Sequence, residues 1–288
     1  MRIALEEFGP PIYVRKEIVH NSFVVEELRG KGAIFVDSED EVPNGERVIY
    51  SARGVSPEVR EHSARRGLRV IDATCPLVTK VHVEAIRFRK RDRTIILIGH
   101  AGHEEVEGTM GQAPERTILV QDAGEAERVE IPDPDNVSYI TQTTLSVDDT
   151  KDIVATLKRR FPNISAPTKS DICYATTNRQ AAVKVLADRA PLVLVIGAPN
   201  SSNSKRMVEV ARQCGASSYL IEDATQIDPA WLDGVPEVGV SSSASAPEWL
   251  VERVLEFLKR FGPAVVEEVR VVDEDVSFPL PREVVAAR

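Results

Sequence analysis

LVLVI at residues 192–196, followed by GAPNSSNS at 197–204, is a short run of β-branched and leucine residues that ends in small and polar ones. A continuous Val/Ile/Leu run of this length is typical of a strand that is buried on both faces of a parallel sheet. Four more segments repeat the pattern: RVIY at 47–50, TIILI at 94–98, SYI at 138–140 and EVGV at 237–240. The chain is therefore predicted to be an α/β protein built on parallel sheets.

Helical patterns lie between these runs and indicate a modular chain. The windows with apolar residues at helical spacing are 80–90, 147–160, 178–189 and 247–261. A weak internal echo, in which Asp is followed by Cys within three residues at a helix start, occurs at 72–75 and 171–173. We predict three small α/β modules over residues 1–75, 76–172 and 173–260, with a tail over 261–288 that packs back on them.

The composition excludes several classes of protein. The 288 residues include 36 basic and 45 acidic side chains, which give a formal net charge of −9. No stretch approaches the roughly 18 consecutive apolar residues of a membrane helix, and the N-terminus lacks the apolar core of a signal peptide, so we expect a cytoplasmic protein without a membrane partner. The basic segment RFRKRDR at 87–93 is not surrounded by an aromatic platform, which favours a solvated helix end over a nucleic-acid site.

Polar clusters follow the predicted strands, at the edge where ligands bind in parallel α/β sheets. The candidate residues are mostly neutral hydrogen-bond donors, with a few histidines and one carboxylate: His20, His100, His103, Glu105, Thr143, Thr144, Ser201, Ser202, Asn203, Ser243 and Ser245. Such a set suits an anion such as phosphate, although each Ser or Thr also suits a helix N-cap. The sequence has no G-x-S-x-G, P-loop or G-x-G-x-x-G motif, which argues against the common hydrolase and nucleotide folds.

Three cysteines are too few and too scattered for a disulfide framework. Cys75 and Cys173 lie at strand-to-helix junctions, where a helix N-terminus lowers the pKa of a thiol, and we favour a ligand role for both. Cys214 precedes Gly215, a predicted helix C-cap, and is expected to be a buried structural thiol. His62 and His82 fall in helical segments and are also expected to be structural.

Five segments resemble the signature sequences of the LytB/IspH family of 4-hydroxy-3-methylbut-2-enyl diphosphate reductases. They are DATCPLVTKVH at 72–82, ILIGHAGHEEVEGTMGQ at 96–112, YITQTTLSVDDT at 139–150, SDICYATTNRQ at 170–180 and NSSNSKR at 200–206. PIYVRKEIVHN at 11–21 and SASAPEWLV at 243–251 extend the resemblance over nearly the whole chain.

The resemblance implies three modules in a pseudo-threefold arrangement around a central [4Fe–4S] cluster. The family reaction removes the allylic hydroxyl of its substrate as water, using two electrons and two protons, and yields isopentenyl and dimethylallyl diphosphates. By resemblance, Cys75 and Cys173 ligate the cluster, and Glu105 donates a proton with the help of Thr143. A small ferredoxin or flavodoxin is the implied electron donor. The implied diphosphate-binding residues are His20, Arg53, His103, Thr144, Ser201, Ser202, Asn203 and Ser245.

Three departures from the family pattern bear on this interpretation. Family members begin with a Gly-Phe-Cys-Ala-Gly-type loop that carries the first cluster cysteine, whereas this sequence starts at Met1 within the next helix, so the first module is expected to lack its leading strand. Arg53 replaces the histidine of a Ser-Ala-His-Gly-Val segment; it still donates to phosphate but cannot exchange protons. Ser243 replaces a glycine, a change expected to disturb a close backbone approach.

The thiol count leaves several hypotheses open. Two cysteine ligands are fewer than the three that the family uses, so we expect a weak, labile or absent cluster. Either the true start lies upstream and supplies the missing cysteine, or the chain is a diverged paralogue that binds a diphosphate without redox catalysis. A third and weaker hypothesis is another metal at Cys75 and Cys173, such as zinc, with His20 or His103 completing the ligand set.

Overall fold

The structure is a computed structural model that describes residues 1–286. Three parallel sheets follow one another along the chain, and helices cover them. The first sheet contains β1 (Ile12–Arg15), β2 (Ala33–Val36), β3 (Arg47–Tyr50) and β4 (Arg69–Asp72), in the spatial order β2-β1-β3-β4. Its helices are α1 (Arg2–Phe8), α2 (Ser22–Gly30) and α3 (Pro57–Arg65).

The second and third sheets each have three strands around a central one. The second contains β5 (Thr94–Ile98), β6 (Thr117–Val120) and β7 (Val137–Thr141), in the order β6-β5-β7, with helices α4 (Pro76–Arg89), α5 (Glu104–Met110), α6 (Ala123–Arg128) and α7 (Val147–Arg160). The third contains β8 (Leu192–Ile196), β9 (Ser217–Ile221) and β10 (Val238–Ser242), in the order β10-β8-β9, with helices α8 (Tyr174–Arg189), α9 (Ser202–Gln213) and α10 (Glu248–Leu258). A short helix, α11 (Arg282–Val285), lies near the end of the chain. Within residues 1–286 no helix is both long and apolar enough to cross a membrane.

The α/β fold class predicted from the sequence is confirmed. Strands β3, β5 and β8 have the bounds of the apolar runs that predict them, because nearly every residue of these strands is buried. Strand β1 was not predicted, since its residues alternate between buried and half-buried and leave no continuous apolar run.

Burial on both faces explains why β5 is uniformly apolar. Ile95 and Leu97 pack with residues of α4, including Phe88. Ile96 and Ile98 pack on the opposite face with a cluster that includes Leu157 of α7. Because both faces are filled with apolar side chains, polar chemistry in this module is confined to the ends of its strands.

Two helices begin directly after a cysteine, as the Asp-to-Cys echo predicts, although their apolar periodicity starts later. Helix α4 starts at Pro76 rather than near residue 80, since a proline at the first helical position needs no hydrogen bond from its nitrogen. Helix α8 starts at Tyr174 rather than near residue 178, because the thiol of Cys173 accepts a hydrogen bond from the Thr176 backbone and caps the helix. Both cysteines therefore lie directly at helix N-termini.

Gly197 allows α9 to approach the end of β8 closely. A Cβ atom at this position would overlap Ser204 Oγ and lie only 3.3 Å from Ser243 Cβ. A glycine is therefore required after β8 for the first turn of α9 to lie against the strand end.

The C-terminal segment crosses the third module and ends on the first. Arg189 pairs with Glu267 through two hydrogen bonds of 3.0 and 2.8 Å, and Asn178 donates to Glu274 at 2.8 Å. Val284 of α11 is buried in a cluster that includes Leu5 of α1 and the β-strands of the first sheet. The module boundaries given above, including the tail that starts at residue 261, stay a prediction.

Replacing Val284 by alanine is expected to lower the free energy of unfolding by roughly 1–3 kcal/mol, because two buried methyl groups leave a cavity in the cluster of the first sheet. Urea denaturation followed by circular dichroism measures the change. The neighbouring Val285 is 56% exposed, so Val285→Ala is the matched control and is expected to change stability by less than about 0.5 kcal/mol. Equal effects of the two substitutions would show that α11 is not anchored through Val284.

Candidate functional site

Glu105 and Thr143 form a buried pair at the carboxyl ends of adjacent strands. Glu105 lies in the first turn of α5, soon after β5, and Thr143 lies two residues beyond β7. The Thr143 backbone nitrogen donates to Glu105 Oε1 at 2.6 Å, and the Thr143 hydroxyl donates to Oε2 at 2.9 Å. Since β5 and β7 pair in parallel register, the two loops leave the sheet at the same edge and bring this pair together.

Burial raises the pKa of Glu105 to about 7. The hydrogen bonds from Thr143 and the charge of Arg53 favour the carboxylate, but the loss of solvation outweighs them. The negative charge of Asp171 acts in the same direction as burial. Near neutral pH this carboxyl therefore exchanges between its protonated and ionised forms, a property that suits a proton donor.

Two half-buried histidines near this pair have pKa values below their ordinary range. His103 caps α5, and its Nδ1 accepts a hydrogen bond from the Glu105 backbone at 3.2 Å, which leaves the proton on Nε2 free to be donated. Burial, followed by the charge of Arg53, lowers the pKa of His103 to about 4. The same two causes, in the same order, lower the pKa of His20.

Arg53 supplies a buried, permanent positive charge to the site. Its Nη1 donates to the backbone oxygen of Glu17 at 2.7 Å and to Glu104 Oε2 at 3.1 Å. Its charge contributes to the pKa shifts of His20, His103 and Glu105, which places all four groups in one electrostatic environment.

His20 joins the first sheet to the third. Its Nδ1 lies 3.1 Å from Glu17 Oε2, and the same oxygen accepts a hydrogen bond from Asn200 Nδ2 at 3.0 Å. The hydroxyl of Ser245 donates to the His20 backbone oxygen at 3.1 Å. The loop between β8 and α9, which contains Asn200, and the loop that carries Ser245 therefore meet beside His20.

Hydroxyl groups after β7 and at the start of α9 join the second sheet to the third. Ser202 Oγ donates to the Thr144 backbone oxygen at 3.3 Å. Gln142 Nε2 donates to Thr144 Oγ1 at 2.8 Å and lies 3.4 Å from Ser202 Oγ. Ser201 caps α9 by accepting a hydrogen bond from the Ser204 backbone at 3.3 Å, so the N-cap role considered for this serine is observed.

Asn203 has hydrogen-bonding capacity that the protein does not use. Its side chain is buried, its Nδ2 lies 3.6 Å from Met207 Sδ, and its Oδ1 meets no hydrogen-bond partner within residues 1–286. Buried amides are nearly always hydrogen-bonded in proteins. An amide left in this condition at the first turn of a helix is well suited to bind a ligand.

The thiol of Cys173 is adjacent to the Glu105–Thr143 pair. Its backbone nitrogen donates to the Thr143 backbone oxygen at 3.0 Å, and its Sγ lies 2.9 Å from Thr176 Oγ1. Burial raises the pKa of Cys173, although the hydrogen bonds from Thr176 favour the thiolate. The lowered pKa expected from its position at a helix N-terminus was therefore wrong, because desolvation exceeds the effect of the helix end.

The two predicted ligand thiols interact electrostatically, since the charge of Cys75 contributes to the raised pKa of Cys173. Cys75 precedes α4, and its backbone nitrogen donates to the Ala52 oxygen at 2.9 Å, next to Arg53. Cys214 was expected to be buried and is exposed instead; it ends α9 beside Gly215, whose φ of +92° fits the predicted C-cap.

The donor set does not by itself fit an iron–sulfur cluster. Cubane clusters are held mainly by cysteine thiolates, usually four. Among residues 1–286, no group of three or more His, Cys, Asp or Glu side chains is arranged to hold a metal ion. Cys75 and Cys173 would supply two ligands, and the same shortage applies to zinc, because neither His20 nor His103 completes a set of three with them.

Ser243 does not need the backbone freedom of the glycine that it replaces in the family pattern. Its backbone nitrogen donates to the Ile196 oxygen at 2.8 Å, and its hydroxyl lies 3.0 Å from Ser245 Oγ. The positive-φ positions of the described chain do not include Ser243, so its backbone conformation does not require glycine. His82 is buried within α4, and burial lowers its pKa to about 4.

The structure brings the predicted residues to one region and adds others that sequence reasoning missed. The additional side chains are Glu17, Glu104, Gln142, Asn200 and Arg206. Gln142 and Asn200 lie inside the polar clusters already singled out, so their position after a strand was an available signal. Glu17 and Glu104 interact with Arg53 from elsewhere in the chain, and local sequence gave no sign of that contact.

The raised pKa of Glu105 predicts a pH-dependent loss of stability. The carboxyl has an ordinary pKa near 4.5 when exposed and about 7 in the folded protein, so the folded state binds more protons between these values. Stability should therefore fall as pH rises through this window, by on the order of 3 kcal/mol from this group. Glu105→Gln, which imitates the protonated carboxyl, should remove that fall, as measured by urea unfolding at pH 5.0 to 7.5.

Glu107 provides the matched control for this measurement, because it lies on the same helix with its side chain exposed. Glu107→Gln should keep the pH dependence of the parent. If Glu105→Gln shows the same pH dependence as the parent, the buried carboxyl does not titrate in this window.

Known proteins resemble this chain over nearly its whole length. The sequence matches the family described as LytB protein over residues 1–259. A 4-hydroxy-3-methylbut-2-enyl diphosphate reductase from Azoarcus sp. (strain BH72) is 55% identical over 285 residues, which are 99% of this chain and 91% of that protein. The enzyme of the same name from Leifsonia xyli subsp. xyli (strain CTCB07) is 57% identical over 281 residues, covering 97% of this chain and 83% of that protein.

Solved structures give the same result for the fold. The E-1-hydroxy-2-methyl-but-2-enyl-4-diphosphate reductase from Plasmodium falciparum superposes with a TM-score of 0.95 at 37% identity, covering 99% of this chain and 90% of that one. A second (E)-4-hydroxy-3-methyl-but-2-enyl diphosphate reductase structure has a TM-score of 0.61 at 32% identity and covers 89% of this chain and 91% of that one. Sequence and structure thus lead to one conclusion: the chain belongs to the LytB family.

Proposed function

We propose that this protein is an oxidoreductase that converts 4-hydroxy-3-methylbut-2-enyl diphosphate into isopentenyl and dimethylallyl diphosphates. In this reaction the allylic C–O bond breaks, the hydroxyl leaves as water, and two electrons and two protons are consumed. The observation that carries the proposal is the buried Glu105–Thr143 pair beside a set of neutral donors and one fixed cation. The reductases that share more than half of this sequence support it.

The diphosphate is proposed to bind among donors contributed by all three modules. They are His20, Arg53, His103, Thr144, Ser201, Ser202, Asn203 and Ser245. Neutral imidazoles, hydroxyls and an amide solvate phosphate oxygens without the cost of burying several charges. The first turn of α9, a helix of 12 residues, adds backbone N–H groups with the favourable end of a helix dipole.

Glu105 is proposed to hold the proton that reaches the leaving hydroxyl. With a pKa of about 7 the carboxyl retains a proton in a large share of molecules at neutral pH. Thr143 fixes both carboxyl oxygens, one through its backbone and one through its hydroxyl, so the acid has a single orientation. The Thr143 hydroxyl is also the group through which a proton on Oε2 can be relayed towards the substrate.

The source of the electrons stays a prediction from the sequence. Reductases of this family use a [4Fe–4S] cluster, and Cys75 and Cys173 are the side chains of this chain that we propose would hold one. Within residues 1–286 these two thiols do not complete the ligand set of such a cluster. A ferredoxin or flavodoxin as electron donor, and a cytoplasmic location, are likewise predictions.

A second candidate is a paralogue that binds a diphosphate without redox chemistry, since within residues 1–286 only Cys75 and Cys173 are candidate cluster ligands. Anaerobic reconstitution with iron and sulfide separates the two candidates. Stable uptake of about four iron atoms per chain, followed by turnover with a reduced viologen dye, supports the reductase. Binding of inorganic pyrophosphate without iron uptake or turnover supports the paralogue.

Glu105→Gln is expected to reduce turnover of the reconstituted protein by at least about a hundredfold, because an amide cannot donate a proton at neutral pH. Its affinity for pyrophosphate, measured by calorimetry, should stay within about threefold of the parent, since Gln keeps the same shape and stays hydrogen-bonded to Thr143. Glu107→Gln should affect neither quantity. Undiminished turnover in Glu105→Gln would remove this residue from the proton-donor role.

Arg53→Met is expected to weaken pyrophosphate binding by at least about tenfold, because a charge-assisted hydrogen bond to phosphate is lost. The salt dependence of binding should weaken as well, which calorimetry at two ionic strengths measures. Arg116, whose ion pair with Asp92 lies at the surface, provides the control Arg116→Met, with unchanged binding expected. Equal affinity in parent and Arg53→Met would show that this arginine pairs only with Glu104 and Glu17.

A further inference from the structure

A partly buried ion pair that the proposed chemistry does not use connects the two helices that begin at cysteines. Lys80 Nζ on α4 lies 2.5 Å from Asp171 Oδ1, in the loop before α8. The Asp171 side chain is completely shielded from solvent. Removing such a pair from water costs free energy, and it adds little net stability compared with apolar packing. Its more specific contribution is to fix the relative position of the two segments that it joins.

Both members of the pair lie close to a thiol in the sequence. Lys80 is on the second turn of the helix that Cys75 precedes, and Asp171 is two residues before Cys173. The ion pair therefore connects the segment that ends in one cysteine to the helix that starts at the other.

The lysine holds more than a single carboxylate. Besides Asp171, its ammonium donates to the backbone oxygens of Lys169 at 2.5 Å and Ser170 at 3.4 Å. Three consecutive residues directly before the Cys173 segment thus converge on one cation. Glu84 Oε2 also lies 3.4 Å from this ammonium, so its three N–H donors face four acceptors, three of which belong to the loop and fix its path.

Asp171 extends the connection to the proton-donor pair. Its second oxygen, Oδ2, accepts a hydrogen bond from the Thr141 backbone at 2.9 Å, at the last residue of β7. Two residues later, the Thr143 oxygen accepts from the Cys173 backbone. The carboxylate therefore fixes both the end of the strand that leads to Thr143 and the loop that leads to Cys173.

Further contacts along α4 anchor the same loop. Glu84, one turn after Lys80, accepts a hydrogen bond from the Thr168 backbone at 3.1 Å. Arg87, in the next turn, donates to the Thr168 hydroxyl at 3.2 Å. One face of the helix thus holds residues 168–171 against it.

We infer that Lys80 and Asp171 are positioning residues that fix the separation of the Cys75 and Cys173 thiols and the placement of Thr143 beside Glu105. The role of this geometry in catalysis rests on the proposed reductase function. The geometry itself depends only on the contacts of this chain, so it can be measured without substrate, metal or reductant.

Thiol crosslinking in the full chain measures the separation directly. In a Cys214→Ser background only Cys75 and Cys173 remain, because the sequence has three cysteines. An ethylene-bridged bis-methanethiosulfonate reacts with one thiolate, expelling methanesulfinate, and then either closes on the second thiol or leaves it to a second reagent molecule. Closure expels a second methanesulfinate and leaves two mixed disulfides on one bridge. Intact mass at completion distinguishes one bridging group from two separate groups.

The parent is expected to give mainly the bridged product. The second thiol, when held close to the tethered reagent, is present at a high effective concentration and reacts with it before a second reagent molecule arrives. Lys80→Met and Asp171→Leu should lower the ratio of bridged to doubly modified product by at least about threefold, because the loop that carries Cys173 is released. Lys80→Arg keeps the charge and should restore bridging. Asp148→Asn, which breaks the Asp148–Lys184 ion pair between α7 and α8, is the matched control and should leave the ratio unchanged.

Urea unfolding and circular dichroism of each variant separate positioning from general loss of structure. Asp171→Asn provides a second test that preserves the fold, because its amide oxygen still accepts from Thr141 while the charge is removed. Folded Lys80→Met and Asp171→Asn proteins that bridge as the parent does would overturn the inference. A parent that gives only doubly modified product would overturn it too, since the thiols would not be held together. Failure to bind pyrophosphate or to turn over substrate would bear on the proposed function alone.

Discussion

The central strands of the second and third sheets are buried on both faces, and the rest of the site depends on this constraint. Every side chain of β8 is buried, and four of the five in β5 are. Polar groups cannot be placed along such strands without unpaired hydrogen bonds, so they follow the strands instead. Because the strands of each sheet are parallel, their polar ends share an edge, and loops from different modules meet there.

Desolvation sets the chemistry at that meeting point. The same burial raises the pKa of Glu105 and lowers those of His20 and His103, since it penalises the charged form of each. The result is a site whose acid is partly protonated near neutral pH and whose histidines have lowered pKa values. Arg53 differs from these three groups because an arginine side chain is a permanent cation. It donates hydrogen bonds to Glu104 and to the Glu17 backbone oxygen.

The loops at this edge are also held to one another. The Cys173 backbone bonds to Thr143, Thr143 bonds to Glu105, and Asp171 bonds to the strand that precedes Thr143. A proton donor and a thiol are therefore parts of one hydrogen-bonded unit. A disturbance of the ion pair between Lys80 and the buried Asp171 would reach both, although neither residue contacts the proposed acid directly.

The sequence by itself determined the α/β class, the bounds of three strands and of α7, and the polar residues that follow the strands. These features arise from local patterns, because strand burial, helix period and capping act over a few neighbouring residues. Only the tertiary structure decided which buried groups have shifted pKa values. It also decided the hydrogen-bond partners of Arg53 and the exposure of Cys214. It also decided the pairing of Lys80 with Asp171. These outcomes depend on desolvation and on contacts between segments far apart in the chain, which no local pattern encodes.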